Sequence, residues 1–261
     1  MSLGTLDLSI LLPAFVAGLL VTATHVPLGT QVLARGIVFI DLAIAQIAGC
    51  GVLLADRIGL EPEGIAVQVA ALAAALCGAL LLTWTERVWP DVQEAVIGVV
   101  FVLAATGGVL LLASNVHGSE HLRDLLVGQI LWVQPRWLAW TAAIYAIVLA
   151  LWFGARAKLG RIGFYALFAL AVTVSVQLVG VYLVFATLIV PPLATRRLRR
   201  GRLAVAWLLG VAGYAAGLII STALDLPTGP AIVWSLVVLA AGCYAVAAGA
   251  DANAAPARGR A

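Results

Sequence analysis

Residues 163–191 read GFYALFALAVTVSVQLVGVYLVFATLIVP, 29 residues without one charged side chain. A helix that crosses a bilayer needs about 20 mostly apolar residues. This run is too long for one straight crossing and too short for two, which predicts a tilted span or a break near Gly180. Working outward, seven further apolar segments lie near 8–24, 37–55, 65–84, 94–113, 137–154, 203–223 and 231–249. Polar punctuation separates them: Pro27-Leu28-Gly29, Asp56 to Gly64, Thr85 to Gln93, Ser114 to Arg136, Ala155 to Ile162, Thr195 to Arg202, and Asp225 to Pro230. The expected fold is an all-α, polytopic transmembrane helical bundle of about eight spans. It forms one domain over residues 1–250, followed by a disordered cytoplasmic tail at 251–261.

Composition excludes most other classes. Of 261 residues, 64% are hydrophobic and 10% charged, with a mean hydropathy of +1.11. A soluble domain is about 45–50% apolar and about 25% charged, so this chain cannot cover a water-facing globule. A soluble enzyme, a disordered protein and a nucleic-acid binder are all excluded. The net charge of +3 comes from short clusters between apolar stretches, and such clusters concern orientation in a membrane. Cys50, Cys77 and Cys243 each lie in an apolar segment without CxxC spacing, so they read as packing residues. Asp7, in place of Lys or Arg ahead of the first apolar run, argues against a cleavable signal peptide.

Cytoplasmic loops collect Lys and Arg. With both termini cytoplasmic and all eight segments crossing, Arg57, Arg123, Arg136, Arg196, Arg197, Arg199, Arg200, Arg202, Arg258 and Arg260 fall inside. Arg35, Arg87, Arg156, Lys158 and Arg161 then fall outside, and the Arg156 to Arg161 cluster runs against the rule. Trp84, Trp89, Trp132, Trp137 and Trp152 sit near segment ends, where interfacial anchors belong. Gly210, Gly213 and Gly217 let backbones approach closely, either within one subunit or in a dimer.

Asp41 is the ionisable residue that stands clear of a helix end, and an intramembrane carboxylate is a functional candidate by default. The alternative is a local role, accepting hydrogen bonds from the next helix or pairing with Arg35. Gln46 lies roughly 140° round the helix from it. Ser221 and Asp225, at i and i+4, share a face. In the orientation above, Asp41, Gln46, Ser221, Asp225 and His25 all lie toward the outer side, and this oxygen-rich set with one imidazole suits a divalent cation such as manganese or zinc. His117-Gly118-Ser119-Glu120-His121 matches the H-x-x-E-H spacing of a zinc-peptidase class. That pattern sits in a polar loop and contains a glycine, whereas the chemistry needs both histidines on one rigid helix face. Lys158 is the only lysine, and no G-x-x-x-x-G-K-[ST] loop precedes it, so any ATP is bound by another subunit.

Three stretches together resemble the membrane permease of metal-ion ABC importers. They are Pro27 to Phe39, Val179 to Pro192, and Asp225 to Val233. Glu94 to Gly98 and Leu126 to Leu131 are weaker matches, and the resemblance spans about residues 25–240. It implies a type II importer-like permease in the bacterial inner membrane, working as a homodimer among membrane lipids. Its partners are cytoplasmic ABC ATPase subunits and an extracytoplasmic metal-binding protein, and no nucleic acid is involved. The cargo is zinc or manganese, with no permanently bound cofactor and no catalysis in this chain. The resemblance also makes Pro191, Pro192, Arg196, Arg197, Arg199 and Arg200 the segment that couples to the ATPase; positive-inside topology explains the same arginines. The family's second span carries Gly-Asp-Ala-x-Ser-His, where this chain places Leu42 under the Asp and Gln46 under the His. Ser221 stands where some members have another His. A secondary transporter, or an intramembrane peptidase using His117, Glu120 and His121, is the competing reading.

Overall fold

The structure, a computed structural model, describes residues 8–60, 64–112, 130–198 and 200–254. Among these, helices follow one another without strands: α1 (Leu8–Arg35), α2 (Ile40–Arg57), α3 (Ile65–Val88), α4 (Gln93–Leu112), α5 (Pro135–Val179), α6 (Val181–Ala194), α7 (Arg202–Leu224) and α8 (Thr228–Ala254). Short 3-10 turns, Pro90–Val92 and Ile130–Trp132, precede α4 and α5. In lipid every backbone N–H and C=O must be satisfied internally, so an apolar chain of this kind folds as helices. Among the described residues seven stretches are long and apolar enough to cross a membrane; α2, with Asp41, Asp56 and Arg57, is not among them, and α6 is a shorter apolar helix.

Two glycines divide the long apolar middle of the chain. Gly160 (φ 58°, ψ −157°) interrupts α5, separating Pro135–Arg156 from Lys158–Val179. Gly180 (φ 83°, ψ 162°) ends α5 where a break was expected, and α6 begins at the next residue. Both lie in the positive-φ region that side chains bearing a Cβ avoid.

Packing pairs give the direction of each helix. Arg35 at the end of α1 stacks over Phe164, and His25 meets Ser175, so the second half of α5 runs antiparallel to α1. A Cβ on Gly29 would lie against the Leu188 carbonyl and Pro192, so α6 returns to the Arg35 end. Trp207 donates to the Ala23 carbonyl at 3.3 Å, and Gly210 packs on Thr22 and Gly18 on Tyr214. Helix α7 therefore runs back toward the start of α1, antiparallel to it. Gly213 against Leu236 and Gly217 against Ile232 close α7 on α8, which settles the glycine stripe as packing inside the subunit.

This order corrects the expected sidedness. The second half of α5 and α6 enter from one end and return to it, so they contribute no net crossing. Arg161 pairs with Glu86 at 3.7 Å, Arg156 bonds Gln31, and Arg196 and Arg197 stack on Tyr244. Nine described basic residues thus gather at the Arg35 end: Arg35, Arg87, Arg156, Lys158, Arg161, Arg196, Arg197, Arg200 and Arg202. Arg57 and Arg136 are the two described at the other. By the positive-inside rule the Arg35 end faces the cytoplasm, and α1 starts at the extracytoplasmic face. Trp152 also departs from expectation: it is 3% exposed, packed on Phe164 beneath Arg156, and is no interfacial anchor.

Candidate functional site

Asp41 sits in the first turn of α2, 1% exposed, and its buried Oδ1 has no hydrogen-bond partner among the described residues. Its sequence neighbour Arg35 lays its guanidinium over the Phe164 ring, 4.3 Å from the centroid. The residue facing this turn is Glu94, in the first turn of α4. Glu94 Oε1 accepts from the Phe39 N–H at 3.3 Å, while Oε2 is buried and without a partner among the described residues. Sequence reading quoted Glu94 only within a family stretch. The signal available was an acid opening an apolar run directly after a polar loop. Gln46, further along α2, is half-buried.

His25 lies mid-way along α1, fully buried. Its Nδ1 lies 3.1 Å from the Val21 carbonyl, which only accepts, so Nδ1 carries the proton. Nε2 meets Ser175 Oγ at 3.0 Å, and Ser175 in turn bonds the Tyr145 hydroxyl. Both ring nitrogens are therefore engaged in helix packing.

Ser221 and Asp225 close α7. The Ser221 hydroxyl donates to the Leu226 carbonyl at 2.7 Å and meets Thr228 Oγ1 at 2.8 Å. Asp225 is exposed and takes the left-handed conformation (φ 53°, ψ 44°) that ends the helix. Since Gly210 is level with Thr22 and Tyr214 with Gly18, Ser221 falls level with about residue 11 of α1. Some 24 residues of α1, roughly 35 Å, then separate it from the Arg35 end where Asp41 sits. The five expected ligands are not on one side. Asp225 and Ser221 lie level with the start of α1, His25 at its middle, and Asp41 with Gln46 toward its Arg35 end. Among the described residues no group of three His, Cys, Asp or Glu side chains is placed to hold a metal ion. His117, Glu120 and His121 lie outside the described residues.

The cytoplasmic end is shaped by prolines. Pro191 and Pro192 are buried in the last turns of α6, and Thr195 Oγ1 donates to their carbonyls at 3.1 and 3.3 Å. Pro192 lacks the N–H that would satisfy the Leu188 carbonyl, and that is the carbonyl Gly29 approaches. Arg196 and Arg197 then emerge with their guanidinium groups 5.9 and 4.9 Å from the Tyr244 ring centroid. Arg200 is exposed beside them, and Arg199 lies outside the described residues.

A profile described as the ABC 3 transport family matches residues 7–162 and 153–247. The chain belongs to the ABC 3 transport family. As a member it is a multi-pass inner-membrane protein and the translocation subunit of an ABC transporter, with ATP hydrolysis on a separate partner. This displaces the peptidase reading. The chain is also similar in fold to PsaBC from Streptococcus pneumoniae in complex with Fab, with a TM-score of 0.72 and 20% identity over 92% of this chain and 91% of that one. A metal-chelate type ABC transporter in an inward-facing conformation matches with a TM-score of 0.64 and 14% identity, over 91% of this chain and 85% of that one.

Proposed function

We propose that this chain is the permease of an ATP-driven importer of a divalent metal ion, manganese or zinc, working as a homodimer with cytoplasmic ATPases and an extracytoplasmic metal-binding protein. The observation that carries the reading is Asp41. A carboxyl 1% exposed inside the bundle, with one oxygen unpartnered among the described residues, is costly to keep ionised, and a bound cation lowers that cost. Asp225 and Ser221 meet the ion at the extracytoplasmic mouth, His25 stands at mid-depth, and Asp41 and Gln46 receive it toward the cytoplasm. Around Asp41 the donors are oxygens, which suit manganese better than zinc. On the cytoplasmic side, the segment from Pro191 to Arg200 docks on the ATPase. ATP binding that favours the closed ATPase pair then biases the permease between its two states.

The test is accumulation of radiolabelled manganese or zinc in proteoliposomes holding the permease and its ATPase. ATP-dependent uptake, reduced by Asp41→Ala with assembly intact, is expected. Uptake driven by a proton gradient without the ATPase would favour a secondary transporter instead.

A further inference from the structure

We infer that Asp41 and Glu94 together form a cation station that bridges α2 and α4 at the cytoplasmic end of the bundle. The inference rests on the import reading above and names the second ligand of its inner site. Glu94 of α4 reaches the N-terminal turn of α2 that carries Asp41, and each carboxylate has one buried oxygen without a hydrogen-bond partner among the described residues: Asp41 Oδ1 and Glu94 Oε2. The other Glu94 oxygen is held by the Phe39 N–H at 3.3 Å. Helix α2's positive end stabilises the first of these charges. A second carboxylate beside it, half-buried at Glu94, is repelled by the first, and a bound cation relieves that repulsion.

The chemistry is that of a hard divalent ion. Such ions bind through one or two carboxylates and keep several waters, and affinity follows ligand charge count. A two-carboxylate station is weak compared with a closed cage of protein ligands. Transit needs this, because binding must be strong enough to admit the ion and loose enough to release it. With Asp41 sealed from solvent, loading and release require the helices packed around α2 to move. The station is thus placed to open and close with the transport cycle.

The test is a titration of the purified permease–ATPase complex with manganese(II), following loss of the free-ion electron paramagnetic resonance signal. The unmodified complex is expected to show saturable binding. Asp41→Asn and Glu94→Gln should each weaken it about tenfold or more, and the double variant, with no carboxylate left, should bind more weakly than either single. Glu94→Gln keeps an oxygen acceptor for Phe39; should it aggregate, Glu94→Thr removes the charge in its place. Glu86→Gln, an acid at the same end already paired with Arg161, should bind as before. Unmodified affinity in the Glu94 variants, or no saturable binding in the unmodified complex, overturns the station. Accumulation assays on the same preparations keep the two claims apart. ATP-driven uptake with Glu94→Gln binding unchanged removes the station and leaves import standing. Binding lost in both variants, with no uptake by the unmodified complex, removes import and leaves the station.

Discussion

The hydroxyls of Tyr145 and Ser175, 30 residues apart, hydrogen-bond each other across the Gly160 break, so the two halves of α5 are joined side by side. His25 Nε2 joins the same Ser175 oxygen from α1, 3.0 Å away. Three helical segments therefore meet at one buried polar point in an otherwise apolar core. Hydrogen bonds between membrane helices average about 0.6 kcal/mol, whereas a buried polar group left alone costs about 1–3 kcal/mol. Tyr145→Phe removes one donor and should cost about 1 kcal/mol. Ser175→Ala strands His25 Nε2, leaves the Tyr145 hydroxyl only its long bond to the Ala171 carbonyl at 3.4 Å, and should cost about 2 kcal/mol. Thermal unfolding in detergent ranks the two, and equal losses would mean that Ser175 is not the hub.

Glycine substitutions on α7 and α8 should separate by their surroundings. A Cβ on Gly217 would lie 2.3 Å from Ile232 Cα, a backbone atom that cannot yield, whereas one on Gly242 meets nothing within 4 Å. Gly217→Ala should therefore cost about 1–3 kcal/mol through forced separation of the helices. Gly242→Ala should be neutral or slightly stabilising. Folded yield and melting temperature read both. A harmless Gly217→Ala would show that close α7–α8 contact does not depend on this glycine.

The apolar segments and the break at Gly180 were legible because hydropathy and glycine act locally. Sidedness was not, because it is a parity problem. Counting residues 163–191 as one crossing puts the Arg156 to Arg161 cluster and the Arg196 to Arg202 cluster on opposite faces. The returning α6 puts them on the same face. The dissenting arginines were the signal that one crossing had been miscounted. Asp41 was legible as a lone intramembrane acid. Its companion Glu94 was hidden, since nothing in the chain's linear order says that residues 39 and 94 hydrogen-bond.

Tyr244 should govern how the arginine segment is presented. It receives Arg196 and Arg197 on its ring from the α6–α7 turn, and each such contact is worth about 0.5–1 kcal/mol at an exposed site. Tyr244→Ala should free both side chains and weaken ATPase association about threefold to tenfold. Tyr244→Phe, which keeps the ring, should bind as before. Co-purification of the ATPase at graded salt measures the difference. Equal retention by both variants would show that docking does not use this ring.

Membrane sidedness is the prediction on which the direction of transport rests. Nine described basic residues at one end against two at the other make that end cytoplasmic. The native Cys50, Cys77 and Cys243 are first replaced by alanine. Single cysteines at Arg57 and Arg197 then occupy opposite ends, since α2 starts at the Arg35 end and finishes at Arg57, while Arg197 follows α6 at that same end. A thiol reagent that cannot cross the membrane should label Arg57→Cys in intact spheroplasts and Arg197→Cys only after permeabilisation. The reverse pattern would put Asp41 at the entrance instead of the exit, and would also remove the arginine segment from any cytoplasmic ATPase. Labelling of both sites in intact spheroplasts would instead break the parity that α5 and α6 impose, because their return to one face is what joins Arg161 and Arg197 to the same side.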